Sequence, residues 1–225
     1  MINIAVILAA GSGKRAGGGL PKQFRRLADG RTVLETCVAA FEACGAIDEI
    51  LIVTHPDYIV PVQQQILSSG WQKVSGVVAG GAERWESSWN AIQSLAVDEE
   101  QTNILLHDCA RPFVSVRILD DVCRALEQSA AVTVAVPVTD TLYRVAENRL
   151  VDVPSRTDYL RAQTPQAFRL RVIREAYARF MADTDHTATD DIGVLRRYRP
   201  DVVIQIVEGE EANRKLTFAA DFQQE

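Results

Sequence analysis

The chain has 225 residues, 47% of them hydrophobic and 24% charged, which suits one soluble globular unit with a substantial core and excludes disordered or fibrous chains. Thirty acidic residues against 24 Lys and Arg leave a net charge of −6 and a pI near 5.2, so the surface as a whole repels nucleic acid and anionic membrane. Any anion site must therefore be local, and between Lys14 and Arg31 six cations (Lys14, Arg15, Lys22, Arg25, Arg26, Arg31) face a single acid, Asp29.

In chain order, Ile2 to Leu8 is a short apolar run that ends at small residues, the pattern of a buried parallel strand. Similar β-branched runs recur at Ile50 to Thr54, Val74 to Ala79, Asn103 to His107, Ala131 to Val136 and Val202 to Val207. Helix-period segments lie between them, at Val33 to Cys44, Tyr58 to Ser68, Glu83 to Leu95, Ser115 to Gln128 and Arg169 to Met181. This alternation predicts an α/β fold, a mostly parallel sheet with helices on both faces. From Pro137 to Tyr159 the alternation breaks: period-2 stretches flank Glu147-Asn148, which predicts a protruding β-hairpin arm. An apolar face on such an arm calls for a partner surface, so the chain is expected to pair as a homodimer through it. No repeat or linker divides residues 1–225, which read as a single domain carrying the arm.

Four cysteines, Cys37, Cys44, Cys109 and Cys123, form no C-x-x-C pair and are too few for a disulfide scaffold, so a reducing, cytoplasmic compartment is expected. The apolar start lacks the preceding charge of a signal peptide, and no run approaches a membrane span of about 18 residues.

Chemistry concentrates where strands end. After the first strand come Ala9-Ala10-Gly11-Ser12-Gly13-Lys14-Arg15 and then Pro21-Lys22-Gln23-Phe24; a Gly-rich loop there lets backbone N–H groups approach a phosphate. The loop is not a Walker A motif, because Arg15 rather than Ser or Thr follows Lys14. A dinucleotide fingerprint is matched weakly, and no acid closing a second strand follows at the required distance. Asp108 also ends an apolar strand. A carboxylate among phosphates is repulsive without a bridging cation, so Mg²⁺ held by Asp108 is expected. The competing role for Asp108 is capping the next helix, for which Ser115 is the better candidate. His107 reads as a structural strand-end residue, and with His55 and His186 far off in sequence it offers no zinc-ligand spacing. Gly80-Gly81 with Ser87 would expose backbone to a base edge and exclude a purine, while Arg84 could face either the ligand or solvent.

Six ordered motifs carry a resemblance spanning nearly the whole chain. They are A-A-G-S-G-x-R, P-K-Q-F, Gly80-Gly81-Ala82-Glu83-Arg84 with Ser87, His107-Asp108-Cys109-Ala110-Arg111-Pro112, Ala162-Gln163-Thr164-Pro165-Gln166, and Glu208-Gly209 to Asn213-Arg214-Lys215-Leu216-Thr217. Together they resemble the 2-C-methyl-D-erythritol 4-phosphate cytidylyltransferases. The resemblance implies a Rossmann-like nucleotidyltransferase fold and transfer of CMP from CTP to an alditol phosphate, in isoprenoid precursor synthesis. It places nucleotide contacts at Ala9 to Gly13, Gly80, Gly81, Arg84, Ser87 and Asp108, and acceptor contacts at Arg111, Thr141, Arg156, Thr164 and Lys215. Arg156 has surface solvation as its alternative. Physical reasoning agrees with the absence of a base: the nucleophile is a phosphate oxygen already ionised near neutral pH, so positioning and charge compensation carry the rate. Arg15 and Lys22 are the expected catalytic cations. Departures from the pattern are Ala16, Cys109, Arg214 and the segment Thr189 to Gly193. A ribitol 5-phosphate cytidylyltransferase, a non-catalytic nucleotide-binding domain and an NAD-linked oxidoreductase are the competing readings.

Overall fold

The computed structural model describes residues 1–11, 20–185 and 187–222. The expectations on Ser12, Gly13, Lys14, Arg15, Ala16 and His186 lie outside the described residues.

Each expected strand forms: β1 (Ile2–Ala9), β2 (Glu49–Thr54), β3 (Val74–Ala79), β4 (Thr102–Asp108), β5 (Ala131–Pro137) and, shifted two residues later than its apolar run, β9 (Ile204–Glu208). Between β5 and β9 the chain makes two short strands, β6 (Arg144–Ala146) and β7 (Arg149–Asp152), and then a long one, β8 (Leu160–Arg169). Among the described residues seven strands form one sheet in the order β3-β2-β1-β4-β8-β5-β9. β8 runs antiparallel between β4 and β5, and the other neighbours pair in parallel. The sheet is thus mostly parallel with one reversed strand in its middle.

Among the described residues six α-helices cover it: α1 (Val33–Ala43), α2 (Ile59–Ser69), α3 (Arg84–Ser94), α4 (Val116–Leu126), α5 (Leu170–Ala182) and α6 (Asp191–Tyr198). Strand alternation divides the core in two. Ala5, Ile7 and Ala9 of β1 face α1 and α4, where Leu34, Val38, Phe41, Ile118 and Val122 are buried. Val6 and, on β4, Ile104 and Leu106 face α3, α5 and α6, where Ile92, Ile173, Tyr177, Phe180 and Leu195 are buried.

Local chemistry sets the boundaries. Thr32 and Glu35 close a capping box at α1, the Glu35 amide donating to Thr32 Oγ1 at 3.1 Å and the Thr32 amide to Glu35 Oε2 at 2.6 Å. Ser115 caps α4 by accepting from the Ile118 amide at 3.3 Å, so the helix needs no cap from Asp108. The arm's turn falls at Glu147-Asn148, both in the left-handed region with φ of 49° and 60°, as a two-residue turn matching strand twist requires. Val145 and Leu150 are paired across this hairpin, yet each is more than half exposed on the single chain.

The order β2-β1-β4 creates the feature that positions a site. From β1 the chain runs to β2 on one side and later returns on the other as β4, so the strand order reverses at the carboxyl ends of β1 and β4, where open α/β sheets place their ligand crevice. Leu8 and Asp108 sit side by side there.

Candidate nucleotide-phosphate site

A cavity of about 870 Å³ opens at that crevice. Its wall takes Ala9, Ala10 and Gly11 from the end of β1, Lys22 from a short 3₁₀ turn (Lys22–Phe24), Gly80, Gly81, Arg84 and Ser87 from the start of α3, Asp108 from β4 and Lys215 from the C-terminal segment. Residues as far apart in sequence as Ala9 and Lys215 thus converge on one space of ligand size.

Close packing explains the glycines. A Cβ on Gly80 would stand 2.3 Å from that of Ala10, and one on Gly81 would stand 2.2 Å from Glu86 Cβ, so neither position admits a side chain. Ser87 holds this loop from beneath: its hydroxyl accepts from the Gly81 amide at 3.1 Å and donates to the Glu83 carbonyl at 3.3 Å. Ser87 therefore shapes the glycine floor as well as bordering the cavity.

Asp108 is the electrostatic centre. Arg84 Nε donates to its Oδ1 at 2.8 Å and Lys215 Nζ to its Oδ2 at 2.6 Å. Burial alone would raise its pKa; the two cations reverse that and hold the carboxyl far below the usual carboxylate range. The same attraction acts on Arg84. Burial would lower the guanidinium's pKa, but Asp191 and Asp108 together raise it, Nη1 donating to Asp191 Oδ2 at 2.8 Å. Arg84 is therefore an internal bridge, and the solvated reading of this residue is excluded. Asp108 shares its charge with two side chains, so a neighbouring phosphate is not repelled by a naked carboxylate.

The backbone below Asp108 is held by a proton chain whose direction can be worked out. His107 Nε2 lies 3.0 Å from the Arg111 carbonyl, which can only accept, so Nε2 carries the hydrogen. Burial pushes the His107 pKa down to about 4, leaving Nδ1 bare at neutral pH. Thr164 Oγ1 then donates to Nδ1 at 3.0 Å and accepts from the Asp108 amide at 3.1 Å. Both functions of the Thr164 hydroxyl are occupied. The structure thus shows this buried residue fixing Asp108; the phosphate contact that the resemblance implies is a separate role.

Arg111 also lies off the cavity wall: Nη1 donates to the Asn213 carbonyl at 2.8 Å and Nη2 to that of Ala162 at 3.1 Å. It ties the C-terminal segment that carries Lys215 to β8. Arg156 and Thr141 stand exposed on the arm, with Arg156 Nη1 donating to the Thr139 carbonyl at 2.6 Å, and neither borders the cavity of its own chain.

The sequence reading gives no site role to Tyr177, to Gln166 although it closes a motif, or to Asp190 and Asp191 although they lie in the segment Thr189 to Gly193; all four support Arg84. The Asp190 side chain caps α6 by accepting from the Gly193 amide at 2.8 Å, and an Asp ahead of the apolar pair Val194 and Leu195 was the available signal. As for a metal, no group of three or more His, Cys, Asp or Glu side chains is placed to hold one among the described residues. The donor set fits an ion carried mainly by phosphate oxygens and met by a single carboxylate, the habit of Mg²⁺.

Comparison with known proteins agrees with this geometry. The family model for 2-C-methyl-D-erythritol 4-phosphate cytidylyltransferase matches residues 3–224. The protein of that name from Thermobifida fusca is 44% identical over 222 residues, covering 96% of this chain and 89% of the relative. A Haemophilus influenzae bifunctional ribulose 5-phosphate reductase/CDP-ribitol pyrophosphorylase is 35% identical over 221 residues, but this chain spans only 46% of it. The crystal structure of 4-diphosphocytidyl-2C-methyl-D-erythritol synthase from Anaerococcus prevotii superposes with a TM-score of 0.86 at 28% identity, covering 99% of this chain and 93% of that one.

His107 makes acid stability a test of the proton chain. In the unfolded chain the imidazole takes a proton near pH 6.5 and in the folded protein only near pH 4, so above pH 6.5 it contributes nothing and below that folding is progressively opposed. Asp108 acts with the same sign in a lower range: its stabilising charge is fully present above its unfolded pKa of 3.8 and is lost only in stronger acid, outside this window. Between pH 6.5 and 4 the wild type should lose about 3 kcal/mol more than His107→Gln, measured by urea unfolding. Parallel stability profiles would refute the buried neutral imidazole.

Proposed function

Since the chain belongs to the 2-C-methyl-D-erythritol 4-phosphate cytidylyltransferase family, we propose that the cavity at the carboxyl ends of β1 and β4 is where CTP and its acceptor meet. The enzyme is a nucleotidyltransferase: it transfers CMP from CTP to 2-C-methyl-D-erythritol 4-phosphate, giving CDP-methylerythritol and pyrophosphate in isoprenoid precursor synthesis. The observation that carries the placement is the meeting of Lys22, Arg84, Asp108 and Lys215 on one glycine-floored wall.

Two polyanions must approach, each terminal phosphate bearing about −1.5 to −2 charges. Lys22 and, by the family's pattern, Arg15 compensate the triphosphate and the charge that builds on the α-phosphorus and departing pyrophosphate. The Gly80 and Gly81 amides are held by the Thr54 carbonyl and the Ser87 hydroxyl, so it is the carbonyls of this backbone that would accept from the amino edge of a cytosine. Lys215, more than a third exposed, is placed to turn from Asp108 to the acceptor phosphate. Mg²⁺ would be held by Asp108 with phosphate oxygens of the nucleotide, and when bound it neutralises and orients the triphosphate.

Arg156 and Thr141 complete this reading only if the arm crosses to a second copy. Tyr143, Val145, Leu150, Val151 and Val153 are all exposed on the single chain, an apolar surface that a partner would cover. That exposure supports a homodimer joined by its arms, each lending Arg156 and Thr141 to the other's acceptor phosphate. Among the described residues no helix is long and apolar enough to cross a membrane. The four cysteines are unbonded and buried, which supports a reducing, cytoplasmic location. The acidic net charge supports small-molecule substrates over nucleic acid.

With CTP as donor, kcat/KM should be higher for 2-C-methyl-D-erythritol 4-phosphate than for D-ribitol 5-phosphate, read as pyrophosphate release. A tenfold preference for ribitol phosphate would reverse the acceptor. EDTA should abolish that release and Mg²⁺ restore it, whereas full activity after exhaustive chelation would remove the ion from the mechanism.

Lys22→Ala should lower kcat by about 10²-fold, the scale of losing one transition-state donor. Arg156→Ala should also be nearly inactive. Mixing and exchanging these two variants should regenerate some sites carrying both residues, and heterodimers that recover no turnover would defeat the shared site.

A further inference from the structure

Asp191 is fully buried and the Arg84 guanidinium is divided between it and Asp108, each 2.8 Å away. Tyr177 of α5, equally buried, donates its hydroxyl to the other Asp191 oxygen at 2.6 Å. Gln166 of β8 fixes the backbone at the same point: its Oε1 accepts from the Asp191 and Ile192 amides at 3.0 and 3.1 Å, and its Nε2 donates to Asp190 at 2.7 Å. Gln166 is itself paired with Leu106 of β4, two residues before Asp108. Trp89 of α3 stacks on the Tyr177 ring with centroids 5.9 Å apart, so the helix that begins at Arg84 is tied to the same support. These contacts form a closed ring, from β4 through β8, α6 and α3 back to Asp108.

We propose that Asp191, held by Tyr177, is a positioning residue for the transfer reaction: it keeps Arg84 on Asp108 when the triphosphate arrives. This rests on the placement of the nucleotide phosphates beside Asp108. An arginine bound only to Asp108 would be drawn to the incoming polyanion, whose charge exceeds that of one carboxylate. Asp191 supplies a competing anion that the nucleotide cannot displace, since it lies behind Arg84 and has no exposure. Of the two cations on Asp108, Lys215 is then the one free to move, its side chain 38% exposed against 26% for Arg84. Losing this restraint would let Arg84 follow the phosphates in the ground state, which tightens or preserves nucleotide binding while misplacing Asp108 in the transition state.

Steady-state kinetics of Asp191→Asn and Tyr177→Phe test this, read with thermal unfolding at an assay temperature well below each midpoint. Asp191→Asn should lower kcat by tenfold or more, and Tyr177→Phe by threefold or more, with the KM for CTP unchanged or reduced. A purely structural role would lower the unfolding midpoint and leave kcat alone. Where Asp191→Asn fails to fold, Tyr177→Phe decides, because it keeps every charge and removes one hydrogen bond. In folded Tyr177→Phe protein, kcat within twofold of wild type or a raised KM for CTP overturns the proposal. A wild-type protein that releases no pyrophosphate from CTP would instead overturn the placement of the reaction.

Discussion

A carboxylate taken out of water is the constraint around which this molecule is arranged. Asp108 ends the central strand of the sheet, with its side chain only 11% exposed, and an uncompensated charge there would cost several kcal/mol. Two cations from distant parts of the chain meet that requirement, Arg84 from the first residue of α3 and Lys215 from the segment after β9. Each is in turn fixed: Arg84 by Asp191, and the Lys215 segment by Arg111 and by the Leu216 amide bonded to the Ala110 carbonyl at 2.8 Å. Helix placement, strand insertion and the course of the C-terminal segment all serve one charge balance.

That balance lets one cavity accept strongly charged ligands without being built from strongly charged surfaces. Its cations are partly neutralised by internal carboxylates before anything binds, which avoids the self-repulsion of a bare basic pocket. The protein as a whole stays acidic. Glycine backbone and the carboxyl ends of parallel strands supply the remaining shape, as in other open α/β sheets.

The parts of this arrangement legible in the sequence were those set by local pattern. Apolar runs located β1 to β5, the helix period located α1 to α5, and Glu147-Asn148 located the hairpin turn. Two elements escaped. β8 carries Pro165 in its middle, and a proline lowers the claim of any run to be an interior strand; the structure accommodates it where β5 pairing passes from Gln166 to Gln163, skipping Thr164 and Pro165. α6 has only eight residues and two arginines in its last turn, so its period is too brief to stand out. Within the site, the motifs named Asp108, Arg84 and Lys215, but no spacing could show that residues 24 and 107 positions from Asp108 would close on its carboxylate. Thr164 shows another limit: the motif singles it out, but only the fold shows that its hydroxyl joins His107 to the Asp108 amide. Asp191 stands in the segment Thr189 to Gly193 but receives no role from the sequence, because a buried acid is recognised by its partner, and the partner comes from another helix.

The insertion of β8 governs the order in which the protein can be assembled. β4 and β5 are neighbours in sequence but never touch as strands, since each pairs with β8, which is made only after the whole arm. A nascent chain that has emerged as far as β5 therefore presents two apolar strands with open hydrogen-bonding edges, a state prone to pairing with other chains. Closure of the sheet, burial of Gln166 and completion of the charged ring all await one reversed strand. Non-local pairing of this kind slows folding, so the arrangement that closes the site in the finished enzyme also lengthens the interval in which those edges stand open.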